Sequence, residues 1–287
     1  MANLMDYIKL CRPQQWYKNV LVFAAIFFTG QFFNVGYLWL ALLGFIALSL
    51  TSSAGYIIND IKDLKADRAH PEKRLRPLAS GRIGLKSAVF ISIALIVIAF
   101  ALSILFLPVN FVLIQLLLFV LTQIYSFVLK NEPILDVILI SVNFVLRAVS
   151  GVFIINVIIS PWFIIGIFFL ALFLVFGKRR ADMMYLGSKA ADHKKVFNFY
   201  TKEVLDAAIL VSTSALLVSY SLYSFLRREE ILLITLPIVF YGILRYLMFI
   251  YSGSEIGRHP EKVFKDWRMI VAMAVWIILT AYLILYY

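Results

Sequence analysis

The chain has 287 residues, 63% of them hydrophobic and 16% aromatic, with 27 Lys and Arg against 16 Asp and Glu. That is more apolar material than a water-soluble core of this size buries, so the excess is expected to face lipid and the chain to be an integral membrane protein. Cys11 is the single cysteine, which excludes an intrachain disulfide and a cysteine-based metal cluster and gives no sign of redox chemistry.

The N-terminal stretch MANLMDYIKLCRPQQWYKN lacks a compact apolar core followed by a small-residue cleavage site. It reads as an amphipathic lead-in, with Trp16 and Tyr17 at headgroup depth and Lys18 anchoring the first span. Apolar runs near the roughly 20 residues of a bilayer-crossing helix then recur along the chain. The sequence predicts an all-α bundle of about nine spans, at 19–34, 37–58, 86–106, 110–129, 134–155, 161–177, 204–226, 231–251 and 268–286. Glycine, proline and asparagine alone divide the first two spans at GQFFNVG and the next two at FLPVN. With the N-terminus inside, the cytoplasmic segments hold 23 of the 27 basic residues, as the retention of positive charge on that side requires. No linker or shift in composition marks a boundary, so one membrane-embedded domain over 1–287 is expected.

The second predicted span runs into NDIKDLKADRAHPEKRLRPLASG. Asp60, Asp63 and Asp67 are spaced i, i+3, i+7, which places three carboxylates on one helical face. Like charges so close repel, and the compensation is either the surrounding lysines and arginines or a divalent cation. Oxygen-only ligands without histidine or cysteine suit a hard ion. Magnesium in particular binds one or two carboxylates together with substrate phosphates. Asn59, just before the row, can orient a ligand or a water. Lys73, Arg74 and Arg76 would then hold phosphate by charge-assisted hydrogen bonds, with RPLASG forming a rigid turn. The bland alternative is a solvated loop whose acids and bases pair with one another.

YSFVLKNEP places Tyr125 and Lys130 at another cytoplasmic end, within reach of a phosphate or a lipid headgroup. Arg147, in NFVLRAVSG, and Arg245, in YGILRYLMF, lie inside predicted spans, where a charge is costly and normally faces a partner in the bundle. That partner is an anionic substrate, an aspartate on another helix or the interface. A second polar island, GKRRADMMYLGSKAADHKKVFNFYTKE, brings Lys178 and Asp182, and Lys189 and His193, to i, i+4 spacing. It falls on the same side as the aspartate row, which suggests one site built from both halves of the chain. Otherwise these charges only satisfy the inside-positive rule, with His193 a surface residue. The last loop, with Glu261, Lys262, Asp266 and Arg268, reads as structural.

NDIKDLKAD resembles the NDxxDxxxD signature of the UbiA superfamily of intramembrane prenyltransferases. Together with RPQQWYKN, DRAHPEKRLRPLASG, YSFVLKNEPILDV, FVLRAVSG, GKRRADM, LRYLMFIY and HPEKVFKDWR, it is similar to decaprenyl-phosphate phosphoribosyltransferases over about residues 12–268. The resemblance implies magnesium-dependent transfer of 5-phosphoribose from phosphoribosyl diphosphate to a polyprenyl phosphate. Asn59, Asp60, Asp63 and Asp67 match the metal and diphosphate motif, Lys73, Arg74 and Arg76 the basic stretch, and Lys178 and Arg179 the second basic motif. Asp182 stands where the family usually has glutamate. The implied setting is the inner membrane, with the site facing the cytoplasm, lipids around the chain, no nucleic acid partner, and a homo-oligomer compatible with the reading. The implied product serves arabinofuranose donor synthesis for the cell envelope.

Two rivals differ in recognisable ways. A prenyl transferase of this fold would carry its chain on the diphosphate and generally show a second aspartate-rich motif, whereas the second island here is basic. A transporter would favour inverted repeats and broken midplane helices, and no clear repeat is present.

Overall fold

The computed structural model describes residues 3–70, 73–187, 195–226 and 230–286. Helix α1, Leu4–Cys11, opens on a capping box in which Asn3 and Asp6 each accept the other's backbone N–H, satisfying two donors that a helix start leaves open. Leu4, Met5 and Ile8 are exposed while Leu10 is buried, the two-sidedness of an interfacial helix. The chain leaves α1 through Arg12 in the left-handed region at φ 51.

Among the described residues, eight helical segments are long and apolar enough to cross a membrane. They are α3 (Val35–Lys62), α5 (Leu85–Phe106), α6 (Val109–Phe127), α7 (Leu135–Ile155), α8 (Pro161–Leu186), α9 (Lys202–Leu226), the stretch Glu230–Tyr251 that ends in α10 (Leu236–Tyr251), and α12 (Trp267–Tyr286). Short helices α2 (Ala24–Phe28), α4 (Leu64–Ala69) and α11 (Glu255–Arg258) complete the set.

The expected span at 19–34 takes another form: 3-10 turns over Pro13–Phe23 lead into the five-residue α2, and Gly30 at φ 73 ends the run. The reason lies in two side chains. Trp16 Nε1 donates to Ser53 Oγ and Asn19 Nδ2 to Ser49 Oγ, each at 3.0 Å. Residues i and i+3 eclipse in a 3-10 helix, while i and i+4 share a face of an α-helix. The tighter winding therefore aligns Trp16 and Asn19 with Ser49 and Ser53 on α3. Trp16 consequently turns its indole N–H toward a helix rather than the headgroups.

The chain forms two compact units. The first comprises Met1–Ile26, Phe32–Val128 and Leu146–Val157; the second comprises Phe27–Gln31, Leu129–Val145 and Ile158–Tyr287. In the first, Leu10, Ile57, Leu78, Ile83 and Ala88 form a buried cluster that seats α1 and the loop after α4 against α3 and α5. At Gly151 on α7, an added Cβ would meet the backbone of Val22, its carbonyl carbon 2.9 Å away; close backbone approach of this kind is what small residues give membrane bundles. In the second unit, Phe173, Val196, Leu205, Ile209, Tyr246 and Ile250 anchor an apolar core around α8, α9 and α10. Leu107 caps the end of α5, Pro108 is the N-cap of α6, and Pro161 begins α8, where its missing N–H costs nothing.

Candidate functional site

The aspartate row is not one continuous helical face. Asp60 lies in the last turn of α3, Asp63 terminates that helix at φ −87 and ψ 7, and Asp67 belongs to α4. The bend still draws two of the three carboxylates together. Arg76 Nη1 donates to Asp60 Oδ1 at 3.0 Å and to Asp67 Oδ2 at 2.6 Å, and Arg12 makes a second ion pair with Asp60 Oδ1. Both aspartates are buried, whereas the Arg12 and Arg76 side chains are 19% and 29% exposed. Asp63 and Asn59 are half-buried.

The RPLASG turn holds Arg76 in place. Ser80 N–H donates to the Arg76 carbonyl at 2.9 Å, Gly81 accommodates φ 76, and Leu78 and Ile83 pin the loop into the cluster under α1. Arg82 braces it from outside, with Nη1 2.7 Å from Asp6 and Nη2 2.6 Å from the Leu75 carbonyl. Lys73 is half-buried beside this turn and Arg74 is exposed.

Among the described residues, no group of three or more His, Cys, Asp or Glu side chains stands ready to hold a metal ion. The donor set nevertheless suits a hard divalent cation in the mode that uses two carboxylates and completes its shell with substrate phosphates and water. The fit carries one condition: the ion needs the carboxylate oxygens that Arg12 and Arg76 now engage.

Behind the pair runs a polar seam inside the first unit. The Arg12 guanidinium lies 5.4 Å from the Tyr56 ring centroid. Tyr56 lines a cavity of about 20 Å³ with Thr51, Ser52, Leu118, Phe119, Thr122 and Arg147, room for about one water. Arg147 is buried and donates from Nε to Asn19 Oδ1 at 2.8 Å. Lys18, near the start of this unit, lies over the Tyr17 ring, and Tyr125 is half-buried in the last turn of α6.

In the second unit two arginines of the polar island, Arg179 and Arg180, are ion-paired. Helix α8 continues past the expected end at 177 and carries Lys178, Arg179, Arg180 and Asp182 as far as Leu186. Arg179 forms a buried ion pair with Asp136 and lies 5.4 Å from the centroid of Tyr200. Tyr200 accepts from the Ile134 N–H at 2.7 Å and donates to Asp136 at 3.3 Å. Burial pushes the Tyr200 phenol up from its usual range, which keeps it protonated as that donor. Ile134 sits at φ 68, a region a β-branched residue enters only when its surroundings hold it there.

Two more arginine pairs complete the island. Arg180 pairs with Asp206 at 2.7 Å, and Asp182 pairs with Arg258 at 3.4 Å. Arg258 also stacks 3.5 Å over the Tyr185 ring. Lys178 and Lys130 are half-buried. Arg245 finds its partner in Asp266, through bonds of 2.7 and 2.5 Å that hold the Asp266 carboxyl down at about 2. Of the alternatives open for Arg245, this is the aspartate partner. Lys189, Asp192 and His193, like Arg227 and Arg228, lie outside the described residues.

Sequence reasoning missed Arg12, Asp136, Tyr200, Asp206 and Arg258. For Asp136 a signal was present: an acid at the first turn of an apolar span, which membrane burial makes costly unless it is paired.

Residues 20–251 match the profile of the UbiA prenyltransferase family. The chain is 32% identical to a decaprenyl-phosphate phosphoribosyltransferase of Mycolicibacterium smegmatis, with 94% of this chain and 89% of that protein aligned. It is also 34% identical to the Corynebacterium glutamicum protein of that name, over 78% of this chain and 68% of the relative. Among solved structures, a UbiA homologue from Archaeoglobus fulgidus bound to DMAPP and Mg2+ superposes with a TM-score of 0.71 at 20% identity, covering 97% of this chain and 98% of that one. With the bundle of apolar helices, these likenesses make it a multi-pass membrane protein of known fold, and the chain belongs to the UbiA prenyltransferase family.

Proposed function

We propose that this enzyme transfers 5-phosphoribose from phosphoribosyl diphosphate to the phosphate of a polyprenyl phosphate, releasing diphosphate, and uses Mg2+ to do so. The likeness to decaprenyl-phosphate phosphoribosyltransferases across 94% of the chain carries the reading. The whole chain acts as one transferase domain in the inner membrane, with its polar loops toward the cytoplasm.

What a divalent cation supplies when held by Asp60 and Asp67 is neutralisation of the diphosphate as it departs. The remaining work falls to the chain's own groups. Arg76 and Arg12, with Lys73 and Arg74 nearby in sequence, hold the donor's phosphates; Asn59 and Asp63 border the same carboxylates. A lipid phosphate oxygen is already anionic, so no activated protein nucleophile is needed. Catalysis then rests on bringing two anions together against their mutual repulsion, which the surplus of cytoplasmic arginine and lysine favours. Arg147, Lys178, Lys130 and Tyr125 serve phosphate binding, Arg179 stays with its buried partner Asp136, and the apolar spans hold the polyprenyl tail.

The second polar island, 177–203, is basic rather than aspartate-rich, which favours this reading over prenyl transfer. The two reactions separate in one experiment: purified protein in lipid receives either labelled phosphoribosyl diphosphate with polyprenyl phosphate, or a polyprenyl diphosphate with an aromatic acceptor. Label should enter lipid only in the first mixture. Product in the second alone would make prenyl transfer the activity.

A further inference from the structure

Two carboxylates converge on one cationic nitrogen. Arg76 Nη1 bonds Asp60 at 3.0 Å and Asp67 at 2.6 Å, while Arg12 shares the same oxygen of Asp60. A metal ion using those oxygens competes with both guanidiniums for the same contacts and is repelled by them. The charges nevertheless balance in either state. Two aspartates against two arginines are neutral; a divalent cation would neutralise the same two aspartates and leave two arginines to match two charges of an incoming diphosphate.

The carboxylates are buried, whereas both arginine side chains are partly exposed, and the exchange costs Arg12 its place over the Tyr56 ring. Their backbones stay fixed, Arg12 as the left-handed residue closing α1 and Arg76 at the head of the turn that Ser80 closes.

We propose that Arg12 and Arg76 are exchangeable counter-ions: they occupy the aspartate pair in the resting protein and transfer to the diphosphate when a divalent cation binds. Metal and diphosphate therefore bind as a coupled pair, each strengthening the other. The inference rests on the metal and diphosphate reading of this site and adds the exchange that couples the two ligands. Metal alone must displace two arginines that have nowhere favourable to go, so it binds weakly. Diphosphate gives them their destination.

The test reads binding rather than turnover. Mn2+ is titrated into the purified full-length protein and followed by electron paramagnetic resonance, with and without inorganic diphosphate, against a protein-free blank containing the same diphosphate. In the parent protein, diphosphate should tighten Mn2+ binding roughly tenfold, within the usual range of coupling between sites. Arg12→Gln and Arg76→Gln should each tighten Mn2+ binding in the absence of diphosphate and shrink the tightening that diphosphate brings. Lys86→Gln, which removes the same charge from an exposed position, should do neither.

Unchanged or weaker Mn2+ binding in the arginine variants overturns the proposal, as does equal tightening by Lys86→Gln, which would show a bulk charge effect. If Arg76→Gln does not fold, Arg12→Gln carries the test alone, because its loss leaves Asp60 still paired with Arg76. The two readings also fail separately. Coupled binding without phosphoribosyl transfer leaves the exchange intact and removes the function; transfer without the arginine effect does the reverse.

Discussion

Replacing Asp136 with asparagine tests whether the second polar island is organised around a buried charge pair. Asp136 is 0% exposed and Arg179 4%, and two further nitrogens of Arg179, Nε and Nη1, are buried with no hydrogen-bond partner. The guanidinium thus depends on one carboxylate for compensation. Removing one partner of a buried pair costs about 3–5 kcal/mol, because the other charge stays buried and uncompensated. The amide retains the shape and accepts one hydrogen bond, so the lower end, about 3 kcal/mol, is expected, which is roughly a hundredfold in the unfolding equilibrium. Equilibrium unfolding in mixed micelles with increasing SDS would measure it. The control is Asp136→Asn combined with Arg179→Met, which removes both charges and should recover much of the loss. A single variant within about 0.5 kcal/mol of the parent, or a double variant no better than the single, would refute the reasoning.

Asp60→Asn should abolish transfer and lose about 1–3 kcal/mol of stability, because it strands Arg12 and takes from Arg76 one of its two carboxylates; a variant as stable as the parent would contradict the pairing. Gly151→Ala should destabilise the protein despite a gain of about 1 kcal/mol in helix propensity, because the clash is with the Val22 backbone, which cannot rotate away as a side chain would. A thermal midpoint at or above the parent's would show that the contact yields. For Asp266, whose carboxyl is lowered from 3.8 to about 2 chiefly by Arg245, the pair's contribution is complete above about pH 4 and fades as pH falls toward 2. The stability gap between the parent and Asp266→Asn should close across that window, and a constant gap would remove the linkage. Glu255, held at about 2 by Lys262 and Lys265, titrates alongside in both proteins and cancels in the difference.

The membrane spans were legible because lipid leaves a long apolar run few other readings. The segment 19–34 departs because its apolar length does not reveal Trp16 and Asn19 hydrogen-bonding to serines on α3 and setting a tighter winding. In the candidate site, the i, i+3, i+7 spacing found the aspartates, but it carries no record of the bend at Asp63. Their counter-ions were harder still to see. Arg12 and Asp60 stand 48 positions apart and Arg179 and Asp136 stand 43 apart, and no local periodicity links residues at such separations. Asp182 shows the same limit: i, i+4 spacing offered Lys178, whereas the structure pairs it with Arg258, 76 positions away.

The most direct test of the proposed reaction uses phosphoribosyl diphosphate labelled with carbon-14 in the ribose and phosphorus-32 in the 5-phosphate, supplied with Mg2+ and polyprenyl phosphate to the purified protein in lipid. Both labels should reach the organic phase together in equal molar amounts, with one diphosphate released for each transfer and none without metal. Failure of either label to enter lipid, or lipid labelling that does not require polyprenyl phosphate, would contradict phosphoribosyl transfer as the activity of this chain.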